Sequence, residues 1–157
     1  MIKFIIAVAI VVGLVILTPA AYQKYTVWDA ANPADDDSQL NAILLSMTPR
    51  VSAVDVRQGI DFNAAVLIVD TRETEDYDKK HITGAVSISQ GKLLEDYPKR
   101  FPEKSSKVYV YGYDDNRAAV ATRLLIDMGY AASYIDNGLR DWESAGFGTE
   151  KTNGMYF

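Results

Sequence analysis

Cysteine is absent from the 157 residues of this chain, and histidine occurs once, as His81. Without cysteine the chain forms no disulfide, offers no thiolate to a metal and has no thiol nucleophile. One histidine is too few for a histidine metal cluster or for a Ser-His triad built within the chain. We therefore expect neither a bound metal nor a cofactor.

Positive charge is also scarce, because 16 Lys and Arg stand against 21 Asp and Glu and leave a net charge of -5. Nothing resembles the basic stripe with which proteins neutralise phosphates, so nucleic acid is not an expected partner. The chain is 48% hydrophobic and 24% charged, which is typical of a globular protein with a core. Its length suits one ordinary domain with an appendage.

An apolar segment stands near the N-terminus, where residues 4–21 form an uncharged stretch of 18 residues. As a helix this stretch spans roughly 27 Å, just short of a hydrocarbon core of about 30 Å. Tyr22, Tyr25 and Trp28 follow it directly, at the position of a membrane-interface belt. We therefore predict that residues 1–22 are a transmembrane signal anchor and that residues 4–21 contact the lipid bilayer.

A cleavage signal competes with this interpretation. Thr18-Pro19-Ala20 has the small residues of a signal-peptidase site, and cleavage there would release an exported soluble protein. For the anchored form, Lys3 and the amino terminus place positive charge before the apolar segment. We expect a single-pass protein of the inner (cytoplasmic) membrane. Its N-terminus is expected in the cytoplasm and its C-terminal domain on the periplasmic or extracellular side.

Residues 23–47 are predicted to be a juxtamembrane linker followed by a short amphipathic helix. Residues 29–37 are acidic and interrupted by proline, which indicates a linker. Asp37 or Ser38 is a suitable N-cap for a helix that ends near Met47. Apolar residues recur in it at helical spacing, at Leu40, Ile43, Leu44 and Met47. We expect this face to pack on the following domain, and a partner protein is the alternative.

From residue 48 onward, strand and helix patterns alternate along the chain. The predicted strands are Val66–Val69, Ala85–Ile88, Val108–Tyr111 and Ser133–Ile135. The predicted helices are Glu73–Lys79, Leu139–Ala145 and Arg117–Met128, the last capped by Asn116 and with the apolar positions Val120, Leu124, Leu125 and Met128. This alternation predicts an α/β domain over residues 48–149, with a mostly parallel sheet flanked by helices. Residues 150–157 are predicted to be a tail.

Four segments resemble the rhodanese-like family, in unbroken order over roughly residues 48–149. They are the Asp-x-Arg strand end at Val66–Arg72, an "EEY…GHIPGA" pattern over Glu75–Ala85, the loop Tyr111–Arg117, and the "GY" and "GG…AW…AG" patterns of Gly129–Tyr130 and Asn137–Gly146. The resemblance implies a three-layer rhodanese-like fold. It also implies that the loop stands where the family keeps its active site, which begins with cysteine and ends five residues later with arginine.

Gly112 occupies the position of the family's cysteine in this chain. The loop that corresponds to the active-site loop reads Gly112, Tyr113, Asp114, Asp115, Asn116, Arg117. Glycine supplies no nucleophile, and the two aspartates repel an anionic substrate. The resemblance therefore implies a catalytically degenerate member, with no catalytic residue and neither sulfurtransferase nor cysteine-phosphatase activity.

Two arginines are candidate anion-binding residues. For Arg117 the plainer interpretation is an ion pair with Asp114 or Asp115. For Arg72 it is a conformational lock with Asp70 at the end of the strand beside the loop.

Three further features have structural interpretations. His81 is expected to be a hydrogen-bonded structural residue rather than a proton shuttle. Trp142 is expected in the core. Asp35-Asp36-Asp37 is expected to be an exposed linker rather than a cation site.

Three functions remain open for such a chain. The first is a non-catalytic interaction module, an accessory subunit that binds a membrane or periplasmic protein complex. The second is a small-anion-binding domain that uses the degenerate loop. The third is an enzyme of another type that uses an aspartate as acid or base, for which no second catalytic group is identified. The missing nucleophile in an otherwise intact pattern favours the first.

Overall fold

The computed structural model describes residues 33–62 and 65–152, with residues 33–37 as backbone only. The elements are α1 (Pro33–Met47), β1 (Arg50–Val51), α2 (Ala53–Asp61), β2 (Val66–Asp70), α3 (Thr74–Lys79), β3 (His81–Ile82), β4 (Val86–Ser87), a 3-10 turn (Gln90–Lys92), α4 (Leu93–Arg100), β5 (Lys107–Tyr111), α5 (Asp115–Asp127), β6 (Ala131–Ile135), α6 (Gly138–Ser144) and β7 (Thr149–Glu150). The predicted anchor and its aromatic belt, Tyr22, Tyr25 and Trp28, lie outside the described residues. No helix within residues 33–62 and 65–152 has the length and apolarity to cross a membrane.

The main sheet has five parallel strands in the order β1-β6-β5-β2-β4. The central strand β5 pairs with β2 along its whole length, so that Asp70 lies beside Tyr111. Because parallel strands end at the same edge, the residues that follow β2, β5 and β6 meet there. This edge positions the loop that begins at Gly112.

Helices cover both faces of this sheet, and alternate residues of each strand point to opposite cores. On one face, strand residues such as Val69 and Val110 pack with α4 and α5 through Leu93 and Leu125. The opposite core is formed by strand residues and by residues of α2 and α6, and its buried members are Ala53, Val56, Ile68, Ile82, Ala85, Tyr109, Tyr111, Ile135 and Trp142. The predicted α/β architecture and the core position of Trp142 are confirmed.

The four predicted strands are confirmed to within two residues at either end. For α1 the predicted start is wrong, and the predicted packing of its apolar face on the domain holds for Leu44 but not for Leu40, Ile43 and Met47. This helix begins at Pro33, so the backbone of part of the predicted linker is helical. Proline suits the first helical position, where its missing N–H would have no partner in any case. The exposed side chains are Leu40, Ile43 and Met47, at 58%, 53% and 68%.

The packed side of α1 is Leu44 with Leu45, which lie against Ala118, Ala119 and Tyr134. The residues of α5 in this contact are the two small ones, Ala118 and Ala119. The apolar periodicity identified the helix, but the shape of its neighbour selects the residues that pack.

The start of α5 also differs from the prediction. The helix begins at Asp115 and its N-cap is Asp114, so the prediction of Asn116 as the cap is wrong. Both residue types are good caps, and here the side chain of Asp114 accepts a hydrogen bond from the Arg117 N–H in the first turn. Val120, one of the apolar positions that recur at helical spacing in the sequence, is 36% exposed. The buried positions are mostly small and are Ala118, Ala119, Ala121, Thr122 and Leu125.

A second, two-stranded sheet lies apart from the main one. Its strands β3 and β7 are antiparallel, with His81 opposite Glu150 and Ile82 opposite Thr149. Glu150 was assigned to the tail, but it belongs to this strand pair. The pairing fixes the C-terminal end of the described chain beside α3.

Candidate functional site

The degenerate loop leaves the sheet from a fixed strand end. Both the backbone N–H and the Oγ1 of Thr71 donate to the Tyr111 carbonyl oxygen, each at 2.9 Å. A Cβ built on Gly112 would lie 3.0 Å from Thr71 Oγ1. Glycine therefore fits here without displacing its neighbour, and a cysteine requires a small movement of Thr71.

Asp114 occupies the amide end of α5 with its own carboxylate. Its Oδ1 accepts from the Arg117 N–H at 2.9 Å, and its carbonyl oxygen accepts from the Ala118 N–H at 3.1 Å. Arg117 Nε lies 3.5 Å from the other carboxylate oxygen, Oδ2. The structure thus contains the ion pair of the plainer interpretation of Arg117. The capped amide is one that an anionic ligand would otherwise use.

Tyr113 ties the loop to α3. Its hydroxyl donates to Asp76 Oδ2 at 2.6 Å and accepts from the Glu73 N–H at 3.2 Å. The Arg117 guanidinium lies over its ring at 5.3 Å. Hydrogen bonds from Lys79 and from Tyr113 hold the pKa of the Asp76 carboxyl below its ordinary value. The loop is therefore kept in shape by bonds within the chain.

A cavity of about 380 Å³ opens beside the loop and is lined by Leu45, Gly112, Tyr113, Asp114, Asp115, Asn116, Ala118, Ile135, Asn137, Gly138 and Arg140. Asp115 Oδ1 accepts from the Asn137 N–H at 2.9 Å, and partial burial raises the pKa of Asp115. A Cβ on Gly138, whose φ is +49°, would lie 3.2 Å from that of Tyr111, so this close approach favours glycine. The walls are mixed polar and apolar, and none of the lining side chains carries a thiol or an aliphatic hydroxyl.

Six residues of this cavity were not predicted as site residues from the sequence, and they are Leu45, Ala118, Ile135, Asn137, Gly138 and Arg140. Arg140 donates to Asn137 Oδ1 and lies 3.6 Å from an Asp141 carboxylate oxygen. Residues 137–140 directly follow β6, and β6 is the parallel neighbour of β5. Because β5 and β6 are parallel neighbours, the residues that follow both strands lie at the same edge of the sheet. A correct prediction of this strand order would have placed residues 137–140 beside the loop. Neither Arg72 nor Arg117 lines the cavity.

Asp70 and Arg72 form a buried ion pair behind the loop. Arg72 Nε lies 3.0 and 3.1 Å from the two Asp70 carboxylate oxygens, and its Nη2 lies 2.6 Å from Oδ2. Asp70 is fully buried and Arg72 is 12% exposed. The same Nη2 donates to the Lys80 carbonyl oxygen at 2.7 Å. Burial and the negative charge of Asp70 raise the pKa of Tyr111 above its ordinary value. The Arg72 guanidinium therefore has its hydrogen bonds within the fold.

The described residues include no cluster of three or more His, Cys, Asp or Glu side chains arranged to hold a metal ion. The aspartates of the loop instead bond to backbone amides of the chain itself. The arrangement therefore provides a cavity whose walls are partly polar and partly apolar.

Comparison with known proteins agrees with this fold. The model of the Rhodanese-like domain family matches residues 52–145. "Putative sulfur carrier protein YrkF" of Bacillus subtilis (strain 168) is 30% identical over 100 residues, which are 62% of this chain and 52% of that protein. "Thiosulfate sulfurtransferase PspE" of Escherichia coli (strain K12) is 30% identical over 73 residues, which are 46% of this chain and 70% of that protein. The chain spans about half the length of the first of these relatives.

A solved structure gives the same result. The crystal structure of the Alr3790 protein from Anabaena sp. superposes with a TM-score of 0.62 at 29% identity, covering 66% of this chain and 94% of that one. The family match over residues 52–145 includes β2, β4, β5 and β6 of the parallel sheet, the loop and α6, and the chain has no cysteine in that range or elsewhere. This chain belongs to the rhodanese-like domain family and lacks the sulfurtransferase nucleophile.

Proposed function

We propose that this protein is a non-catalytic, membrane-anchored rhodanese-like domain that acts as an accessory subunit of a membrane or periplasmic protein complex. One observation carries the proposal. The loop keeps its shape through Asp114 and Tyr113, yet it presents Gly112 where a thiol would have to stand. A loop that is ordered without a nucleophile is suited to recognition rather than to covalent chemistry.

The names of YrkF and PspE refer to sulfur, but sulfur transfer through a persulfide needs a cysteine sulfur atom. This chain has none at any position. The carboxylates of Asp114 and Asp115 also stand at the cavity, where they oppose an anionic sulfur donor. The proposed role therefore uses the domain surface and not the family's reaction.

The exposed apolar side of α1 is the contact that we expect a partner protein to use. Leu40, Ile43 and Met47 are each more than half exposed, and Leu45 of the same helix lines the cavity. Apolar side chains grouped on one exposed helix are typical of surfaces that bind other proteins. The membrane location rests on the uncharged stretch of residues 4–21.

Leu40→Asp is expected to abolish stoichiometric co-purification of the partner from native membranes in mild detergent. A buried charge at the centre of an apolar contact costs several kcal/mol of binding energy. Leu94→Asp is the matched control, because Leu94 is 56% exposed on α4 and Leu40 is 58% exposed on α1. The measurement is the ratio of partner to chain in the purified complex.

Equal loss in both variants would contradict the assignment of α1 as the contact. Full-length wild-type chain that always purifies alone, as a monomer, would contradict the accessory-subunit proposal itself. Circular dichroism of both variants confirms that each domain is folded before binding is compared.

Thiosulfate, sulfate and phosphate are expected to leave the thermal unfolding midpoint unchanged within about 1 °C at about 10 mM. A ligand that binds only the folded state would raise this midpoint by mass action. We expect no such rise, because Asp114 already occupies the Arg117 N–H and pairs with its side chain. A dose-dependent rise that disappears in Arg117→Ala would instead support the small-anion-binding function.

A further inference from the structure

The degenerate loop borders two cavities that share part of their walls. The cavity of about 380 Å³ described above and a neighbouring one of about 370 Å³ are both lined by Leu45 and Asp115. Volumes of this size are typical of pockets that bind small ligands. Asp115 therefore lies where the two cavities meet, and its charge acts on any group that occupies either of them.

The other charged side chains that line these two cavities each have a partner of opposite charge within the chain. The pairs are Arg117–Asp114, Arg50–Asp136 and Arg140–Asp141, with N–O distances of 3.5, 3.9 and 3.6 Å. Asp115 forms no ion pair with a cationic side chain in the described part of the chain. Its carboxylate is therefore the charge for which these cavities provide no counterion.

Asp115 is half-buried, and the charges around it are mainly negative. Its Oδ1 accepts a hydrogen bond from the Asn137 N–H at 2.9 Å. Burial raises the pKa of the Asp115 carboxyl, and the carboxylates of Asp136 and Asp114 raise it further. The Asn137 amide and the charge of Arg140 lower this pKa without cancelling the rise. A cation beside Asp115 would stabilise its carboxylate, because an opposite charge compensates for lost solvation.

The N-terminus of α5 contributes positive charge near the same place, and its magnitude is smaller than that of the loop carboxylates. A helix N-terminus is equivalent to about half of one elementary charge. Asp114 and Asp115 each carry a full negative charge, and Arg117 pairs with Asp114 alone. The unpaired carboxylate of Asp115 therefore exceeds the effect of the helix end, and the cavity favours a cation.

A buried acceptor without a donor lies beside this carboxylate in the sequence. Asn116 lines the larger cavity together with Asp115. Its Oδ1 is buried and has no hydrogen-bond partner among the described residues. Because buried polar atoms in proteins are nearly always hydrogen-bonded, such an oxygen indicates a site that a donor from a ligand can complete. An ammonium or guanidinium group supplies both N–H donors and positive charge.

The remaining walls suit the alkyl stem of an organic cation better than a bare metal ion. Leu45, Ala118 and Ile135 are the apolar residues that line the larger cavity. Within residues 33–62 and 65–152, no three His, Cys, Asp or Glu side chains are arranged to hold a metal ion. Lys and Arg side chains combine a charged head with an apolar stem, and such stems lie along apolar surfaces.

We infer that the cavity beside the degenerate loop binds an alkyl cation, whose ammonium or guanidinium group bonds to Asp115 and Asn116 while its stem lies along Leu45. The source of the cation rests on the proposed function, under which it is a Lys or Arg side chain of the partner protein. Leu45 belongs to α1, whose exposed side chains Leu40 and Ile43 are the proposed contact for that partner. The partner segment is therefore expected to carry a basic residue beside an apolar face.

Titration of the full chain in mild detergent with n-butylammonium and with n-butylguanidinium, followed by two-dimensional NMR of the backbone amides, tests the site. Both probes are expected to cause saturable shifts at Gly112, Asn116 and Asn137. A dissociation constant in the millimolar range is ordinary for a probe of about five non-hydrogen atoms. Butyramide is the neutral control probe, and it is expected to bind at least about tenfold more weakly, because hydrogen bonds to charged groups are the stronger ones.

Asp115→Asn is the decisive variant. It keeps an oxygen for the Asn137 N–H and removes the charge, so the affinity for both cations is expected to fall about tenfold or more. Asp127→Asn is the matched control, because it removes one negative charge from the other end of α5 and is expected to keep the wild-type affinity. Asn116→Leu removes the buried acceptor and is expected to weaken binding about threefold to tenfold.

Three results would overturn the cation site. They are a wild type without saturable shifts, butyramide binding as tight as that of the cations, and an Asp115→Asn affinity equal to that of wild type. The amide shifts of residues far from the loop, such as Val110, establish that each variant is folded before the affinities are compared.

Co-purification from native membranes identifies the source of the cation and separates this inference from the proposed function. Asp115→Asn is expected to lower the ratio of partner to chain at least about threefold, and Asp127→Asn is expected to leave it unchanged. A partner that stays with Asp115→Asn at the wild-type ratio would overturn its side chain as the ligand, while the accessory role would stand. A wild-type chain that purifies alone yet binds both probes would contradict the accessory role and support a free organic cation as the ligand.

Discussion

Replacing Arg72 with methionine is expected to lower the free energy of unfolding by about 3–5 kcal/mol. The fully buried Asp70 carboxylate would lose the guanidinium that bonds to both of its oxygens. The Lys80 carbonyl oxygen would lose its donor in the same variant. A buried charge without a partner has to be desolvated or neutralised, and either route costs stability. Urea unfolding followed by fluorescence measures the change.

Two further variants distinguish the effect of leaving the buried Asp70 carboxylate unpaired from the effect of losing an arginine. Arg57→Met is the matched control, because Arg57 and Asp61 form a pair whose side chains are 43% and 52% exposed. It is expected to cost no more than about 1 kcal/mol. Asp70→Asn combined with Arg72→Met is expected to recover part of the loss, since no buried charge remains. An Arg72→Met protein as stable as the Arg57→Met protein would contradict the stabilising role of the buried Asp70–Arg72 ion pair.

Gly112→Cys is expected to create a thiol that reacts slowly. Reaction with iodoacetamide at neutral pH needs the thiolate, which the Asp114 and Asp115 carboxylates disfavour. Changing both to asparagine keeps an oxygen for the Arg117 and Asn137 amides and removes two negative charges. The alkylation rate of Gly112→Cys is expected to rise about tenfold with this double change, equivalent to about one unit of thiol pKa.

The control for this series is Gly112→Cys with Asp127→Asn, which removes a carboxylate at the other end of α5. Its thiol is expected to react as slowly as in Gly112→Cys alone. If the single Gly112→Cys thiol already reacted as fast as the triple variant, the loop carboxylates would have no role in suppressing thiol chemistry. Mass spectrometry of each time point confirms a single alkylated cysteine.

Much of the fold followed from local pattern. The β-branched run at Val66–Val69 and the apolar run before Gly112 lie in central strands, because a strand buried on both faces needs such residues. The helix α4 was not identified, since it is charged and contains Pro98 in its second turn. The two-residue strands of the β3–β7 pair were missed as well. They have too few residues for any periodicity, and only the tertiary contact defines them.

The site was predictable in part for the same reason. The flanking motifs predict that position 112 corresponds to the family's cysteine, and the absence of cysteine from the chain is visible in the sequence itself. Arg140 and Leu45 reach the cavity through the strand order and through the packing of α1, neither of which a linear pattern gives. Asp114 rather than Asn116 caps α5 because the competition between two good caps is decided by loop geometry.

The central claim is that this rhodanese-like domain has no sulfurtransferase chemistry, because no sulfur atom of the chain can carry the transferred sulfur. The thiosulfate:cyanide sulfurtransferase assay on the purified full chain tests it most directly. We predict thiocyanate formation at the rate of the protein-free control, at every protein concentration. Turnover that rises in proportion to the protein and persists after removal of contaminating enzymes would contradict the account.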